Sequence, residues 1–179
     1  MEGKSDKLIV LDLDETLIHA TEHQLGVSCD FSFDNYFVYK RPLLQQFLLD
    51  LSLHFTIGVW SSADDDYVAE IVRHIKPDAL DLSFVWGRSK CSLKRDLDYD
   101  TYCFEKRLDK LKKKGFRLEQ ILVVDDSPSK ARTNFGNAIY IKEFTGDPQG
   151  RELHFLYNYL LTLKTAANVR TIEKRGWRQ

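Results

Sequence analysis

The feature that most constrains this chain is a set of short apolar runs, each long enough for a strand and too short for a helix. They are Lys7–Leu11 (KLIVL), Phe55–Trp60 (FTIGVW), Ser83–Trp86 (SFVW), Ile121–Val124 (ILVV) and Ala138–Ile141 (AIYI). Continuous runs, as opposed to alternating ones, mark strands covered on both faces, as in a parallel sheet. Helical patterns separate them. Pro42 opens one helix, with Leu43, Leu44, Phe47, Leu48 and Leu51 on a single stripe. A second spans about 63–75 and is stopped by Pro77. Residues 103–114 read as a helix with a strongly basic face, closed by Gly115, and a last helix covers about 149–164. This alternation predicts an α/β fold, a parallel sheet with helices on both faces. Cys29–Phe33 alternates polar and apolar, Asp34-Asn35 supplies a turn and Tyr36–Tyr39 returns, so a β-hairpin is expected over about 27–40. Residues 1–164 read as one domain, and 165–179 as a polar, mildly basic tail that is partly loose.

Open parallel sheets of this Rossmann-like kind bind ligands beyond the carboxyl ends of their strands. There the first run ends in Asp12-x-Asp14-x-Thr16, the second in Ser61-Ser62 and the fourth in Asp125-Asp126-Ser127-Pro128. If these strands are neighbours, four carboxylates converge with a hydroxyl, and they repel unless a cation sits among them. Hard oxygen donors suit Mg²⁺. Each piece also has a plainer reading. Asp125-Asp126 and Ser61-Ser62 are ordinary helix-capping chemistry, and Asp64, Asp65 and Asp66 complement the dipole of a first helical turn. Asp12-x-Asp14-x-Thr16 is more specific, since such a pattern arises by chance in roughly a few per cent of chains this long.

The balance of 26 Lys and Arg against 27 Asp and Glu gives a net charge of -1, which supplies no broad basic field for nucleic acid. No apolar run is long enough to span a bilayer, and the start lacks the apolar core of a signal peptide. The three cysteines, Cys29, Cys91 and Cys103, form no CxxC pair and fit free thiols in a reducing compartment. None is followed six residues on by the arginine that a cysteine phosphatase requires. The expected setting is intracellular, cytoplasmic or (in a eukaryote) nuclear, with neither membrane nor nucleic acid as partner and a monomer favoured. His19 and His23 are spaced as a zinc pair but lack a third ligand, and no nucleotide-binding glycine motif occurs.

Taken in order, LDLDETLIHA, YFVYKRPLLQQFL, IGVWSSADDDYVAEIV and ILVVDDSPSKA resemble the haloacid-dehalogenase superfamily of phosphatases. Within it they are similar to the small phosphatases of the RNA polymerase II C-terminal domain, the NLI-interacting-factor-like group, over about residues 7–163. The resemblance implies that Asp12 is the nucleophile. It implies that Asp14 is the general acid and base and that its carbonyl also reaches the metal. Thr16 completes the first motif on the phosphate side, Ser61 (or Ser62) binds phosphoryl oxygens and Lys106 neutralises phosphate charge. Asp126 is a Mg²⁺ ligand, and Asp125 a ligand or neighbour to one. Lys90 and Lys94 rival Lys106, and Arg88 resembles an arginine near the substrate cleft.

The activity implied is Mg²⁺-dependent hydrolysis of phosphate monoesters through an aspartyl phosphate. No large cap domain is evident between the motifs, so the site is expected to be open and to admit a phosphoserine or phosphothreonine protein or peptide. Phe31, Phe33, Tyr36 and Phe37 either form an aromatic shelf beside it or pack on the core. Two rivals stand beside this reading: a non-catalytic binding module of the same fold and a small-metabolite phosphatase.

Overall fold

The computed structural model describes residues 3–96 and 101–178. In chain order its strands and helices are β1 (Leu8–Leu11), β2 (Ile18–Thr21), β3 (Phe31–Phe33), β4 (Tyr36–Lys40), α1 (Leu44–His54), β5 (Thr56–Trp60), α2 (Asp65–Ile75), β6 (Val85–Trp86), β7 (Ser92–Asp96), β8 (Thr101–Glu105), α3 (Asp109–Lys112), β9 (Ile121–Asp125), β10 (Ala138–Tyr140) and α4 (Glu152–Thr162).

The five apolar runs form one sheet in the order β10-β9-β1-β5-β6. All four of its pairings are parallel. The order follows from the sequence. β1 is the most apolar strand and takes the centre, with Leu8 between Thr56 and Ile121 and Leu11 between Val59 and Val124. The chain builds outward from β1 through β5 to β6, then returns to the other side of β1 to lay down β9 and β10. The direction of winding therefore reverses between β1 and β9, where doubly wound sheets place their ligands.

The pleat sends alternate residues to opposite faces. Ile9, Leu11, Ile57, Val59, Leu122, Val124 and Ile139 pack with the buried stripes of α1, α2 and α4. Leu8, Val10, Trp60, Ile121 and Val123 pack with Phe84, with Leu111 of α3 and with Leu108 at its start. Each fully buried side chain of this size stabilises the fold by about 1.5–3 kcal/mol. Gly58 lies in β5 under the Phe84 ring, and a Cβ there would sit 2.3 Å from Phe84 Cζ. The missing side chain lets that ring close the second face.

One expectation is met and extended, and others are corrected. The hairpin forms as β3 and β4, but β2 joins β4 to make a three-stranded sheet. Residues 103–114 are not one helix. Their first part is the strand β8, paired antiparallel with β7, and only Asp109–Lys112 is α-helical. Tyr102, Cys103 and Phe104 favour a pleated, half-buried surface over a helix, and a run of lysines carries charge but no period. The tail, described to residue 178, is packed. Val169 is buried, the Lys174 ammonium donates to the carbonyls of Gly136, Val169 and Ile172, and Trp177 Nε1 donates to the Tyr140 carbonyl at 2.8 Å. Helix α1 also starts two residues later than expected, because Leu43 takes a left-handed conformation with φ 68°.

Candidate active site

Asp12 follows β1 directly. Its amide still donates to the Val124 carbonyl at 3.0 Å, so its side chain is held in register at the sheet edge, fully buried. The chain then turns sharply. The amides of Thr16, Leu17 and Ile18 converge on the Leu13 carbonyl at 3.1, 2.7 and 3.1 Å, and Glu15 adopts a left-handed φ of 58°. A non-glycine residue there costs about 1–3 kcal/mol and persists only where surroundings impose it. Here the Glu15 carbonyl is held by the Phe144 amide at 2.7 Å and by Arg41 Nη2 at 3.0 Å. The turn swings Asp14 to the open side of the site.

The strand ends meet as the topology requires. Oxygens of Asp12, Asp125 and Asp126 all lie within 4.8 Å of one another, a spacing that suits one shared cation. Three carboxylates with no nitrogen or sulfur donor among them fit Mg²⁺. Thr16 is fully buried and braces the two loops. Its hydroxyl lies 3.4 Å from Asp12 Oδ2 and 3.3 Å from Asp126 Oδ1, and it accepts from the Asp126 amide at 3.2 Å.

Lys106 enters from the end of β8, buried. Its ammonium donates to Asp12 Oδ1 at 2.5 Å and to Asp125 Oδ2 at 2.6 Å. Burial alone would lower its pKa, but the Asp12 and Asp125 charges outweigh it and hold the lysine above its ordinary value. Burial and the neighbouring Asp12 push Asp125 up to about 6. Of the rival lysines, Lys94 pairs instead with Glu105 at 3.4 Å.

A second lysine was not foreseen. Lys130 Nζ lies 3.4 Å from Asp12 Oδ2 and 3.9 Å from Asp125 Oδ1, and its pKa is raised because those carboxylates outweigh burial. The signal was available in DDSPSK, a cation four residues past the acid pair in a turn opened by Pro128.

Asp14 lies across the site, half-buried. Tyr67 Oη donates to its Oδ1 at 2.6 Å and Ser61 Oγ to its Oδ2 at 3.3 Å. Burial raises the Asp14 pKa above the usual carboxylate range, against the pull of the Tyr67 hydrogen bond. Ser61, not Ser62, is buried at the site, and its hydroxyl also accepts from the Ala63 amide at 3.0 Å. Tyr67, too, was missed by sequence reasoning. It sits in the first turn of α2, where an aromatic reads as core. Arg88 stands apart from the carboxylates. It donates to the Ser62 carbonyl at 3.0 Å and lies over the Phe104 ring. With Asp14, Phe33, Tyr36 and Tyr67 it lines a cleft of about 600 Å³. Phe33 and Tyr36 thus do form a shelf, against Tyr67, whereas Phe31 stacks on His74.

Comparison with known proteins agrees with this architecture. Residues 7–170 match the NLI interacting factor-like phosphatases, and the chain belongs to that family. Nuclear envelope morphology protein 1 of Saccharomyces cerevisiae is 27% identical over 193 residues, covering 96% of this chain and 42% of the yeast protein. CTD nuclear envelope phosphatase 1B of Danio rerio is 28% identical over 188 residues, covering 97% of this chain and 73% of the fish protein. The chain thus spans less than half of the yeast relative. Among solved structures, the fission yeast RNA polymerase II CTD phosphatase Fcp1 bound to beryllium fluoride has the same fold, with a TM-score of 0.57 at 18% identity over 92% of this chain and 53% of that one. The phosphatase domain of a Bacteroides fragilis protein complexed with Mg is similar, with a TM-score of 0.51 at 17% identity over 93% of this chain and 42% of that one. Among the described residues, no helix is long and apolar enough to cross a membrane.

Proposed function

We propose that this protein is a Mg²⁺-dependent phosphatase that hydrolyses phosphoserine or phosphothreonine esters on proteins, with Asp12 as nucleophile. The observation that carries this reading is the Asp12 carboxylate itself. It sits at the centre of the sheet edge between two lysines, one carboxylate oxygen against each. A carboxylate can attack a phosphoryl group only when its repulsion from the phosphate is cancelled, and two ammonium groups at the reacting oxygens do that. Asp12, Asp125, Asp126 and the Asp14 carbonyl would hold Mg²⁺, which when bound supplies further charge neutralisation to the phosphoryl oxygens.

In the first half-reaction an Asp12 oxygen bonds to phosphorus as the phosphorus–ester bond breaks. Asp14 donates its proton to the departing alkoxide. In the second, Asp14 takes a proton from a water that attacks the aspartyl phosphate, releasing phosphate and restoring Asp12. The raised pKa of Asp14 supports its entering as the acid. Ser61 orients Asp14 and adjoins the phosphoryl position, Lys106 and Lys130 steady the phosphoryl charge, and Thr16 keeps the β1 and β9 loops in register. Arg88 belongs to the rim, where it would meet substrate beyond the phosphate.

The cleft beside Asp14 supports a protein substrate. It is walled by aromatic rings of the three-stranded sheet and by the start of α2, and that small sheet is not large enough to enclose a metabolite. The names of the relatives, CTD phosphatases and nuclear envelope phosphatases, point the same way and support work inside the cell at or near the nucleus. We further propose that residues 1–164 act as one catalytic domain, with the packed tail as part of its scaffold. The test is hydrolysis of p-nitrophenyl phosphate and of a phosphoserine peptide panel, with Mg²⁺ and with EDTA, by wild type and Asp12→Asn. Turnover that needs Mg²⁺ and Asp12, with peptides preferred, is expected. A well-folded wild type inert on every substrate would move the reading to a binding module, and preference for small metabolites would overturn the protein-substrate part.

A further inference from the structure

A second cavity adjoins the catalytic turn on the side of Glu15. It holds about 120 Å³, roughly the share of four waters, and is lined by Arg41, Lys142, Phe144, Gly150, Arg151 and Arg178. Arg41 is buried, at 3% exposure. Its Nη2 donates to the carbonyls of Glu15 and Lys142, while its Nε is buried with no partner. Among the described residues no carboxylate pairs with Arg41, Lys142 or Arg151. Burial draws the Arg41 pKa down to about 10, and the charges of Glu152 and Asp126 offset only part of that.

The carboxylates nearby are largely engaged. Glu152 binds Arg178 at 2.9 Å and accepts from the Lys142 amide at 3.2 Å, and Asp147 caps its own turn by accepting from the Gln149 amide. Glu143 and Asp147 are the exposed acids of the lining. The eleven-residue helix α4 begins at this wall with no side-chain cap at Arg151. The first amides of an α-helix lack intrahelical acceptors and favour an anion in front of them. Arg41 with its orphaned Nε, the Lys142 and Arg151 side chains without an ion-pair partner among the described residues, and a helix start without a side-chain cap therefore border one small space.

We propose that this cavity is a second anion site that takes a single phosphate group, either free phosphate or a further phosphate on a multiply phosphorylated substrate. Guanidinium groups such as those of Arg41 and Arg151 suit tetrahedral oxygens better than halide. The site meets the catalytic turn through Arg41, whose other donor holds the Glu15 carbonyl. It does not depend on the protein being a phosphatase.

The test is site-resolved NMR of the ¹⁵N-labelled full chain titrated with sodium phosphate, for wild type and the double variant Lys142→Ala/Arg151→Ala. Both substituted side chains are exposed, so the fold is expected to hold. In wild type the amides of Gly150, Glu152 and Leu153 should shift and saturate. In the variant their affinity should fall tenfold or more, while the response of Ala63 and Asp126 at the catalytic site is unchanged. Absence of saturable shifts at the start of α4, or equal affinity in the variant, would overturn the proposal. Titration with singly and doubly phosphorylated peptides then separates the two sources. A second phosphate borne by substrate makes only the doubly phosphorylated peptide sensitive to the substitutions, and free phosphate leaves both peptides insensitive.

Discussion

Replacing Lys106 by methionine tests the electrostatics of the site at its densest point. Methionine keeps an unbranched stem that can fill the same channel but removes the ammonium lying 2.5 Å from Asp12 and 2.6 Å from Asp125. Removing one partner of a buried ion pair costs about 3–5 kcal/mol, because the charge left behind has lost its solvent and its counterion. Here two carboxylates are left behind, but Lys130 at 3.4 Å from Asp12 offsets part of the loss, so about 3 kcal/mol is the reasoned figure. For a chain of this size each kcal/mol shifts Tm by roughly 2–4 °C, which gives a drop of about 6–12 °C. Differential scanning calorimetry in EDTA reads it. Mg²⁺ should return part of the loss, since a cation bound only by the folded state stabilises it. Asp12→Asn should cost less, because it removes one of two crowded carboxylates and leaves Lys106 paired with Asp125. A loss below about 2 °C for Lys106→Met in EDTA would refute the reasoning.

Other substitutions probe separate links. Gly58→Ala forces a methyl into the Phe84 ring and should destabilise by about 1–3 kcal/mol, read as a lower urea midpoint with unchanged slope. Tyr67→Phe removes a hydrogen bond that favours the ionised form of Asp14, so the Asp14 pKa should rise further. A group acting as general acid is active below its pKa, so the alkaline fall of kcat should move to higher pH, and a move to lower pH would contradict the assignment. Trp177→Ala removes the anchor of the tail on β10, and limited proteolysis should then cut after residue 165 faster than in wild type. Equal rates would mean that the tail does not depend on this contact.

The sheet was legible because burial on both faces leaves an unbroken apolar run, and five such runs appear. The centre of the site was legible for the same reason: Asp12, Asp14, Asp125 and Asp126 are the first residues after those runs, where the chain leaves the core. What failed had no such boundary. Lys106 lies beyond a strand with a half-buried face, in a stretch whose lysines suggest a solvated helix, so its position was expected on the wrong element. Lys130 and Tyr67 reach the site by side-chain length, one from the turn after the acid pair and the other from a helix start, and for Tyr67 the sequence neighbours give no sign of it. Thr16 shows the limit from the other side. The motif marks it, but its hydroxyl is spent between Asp12 and Asp126, which only the fold reveals. The tail looked loose because it is polar, yet Lys174 is held by three carbonyls, a use of lysine that composition does not reveal.

The central claim is that Asp12 carries the phosphoryl group, and the most direct measurement is to trap it there. Protein turning over a ³²P-labelled phosphopeptide with Mg²⁺ is quenched in acid, reduced with borohydride and mapped by mass spectrometry. The account predicts a transient acid-stable, base-labile label and conversion of Asp12 alone to homoserine. Label on another residue, or steady turnover with no trapped label at any quench time, would contradict it.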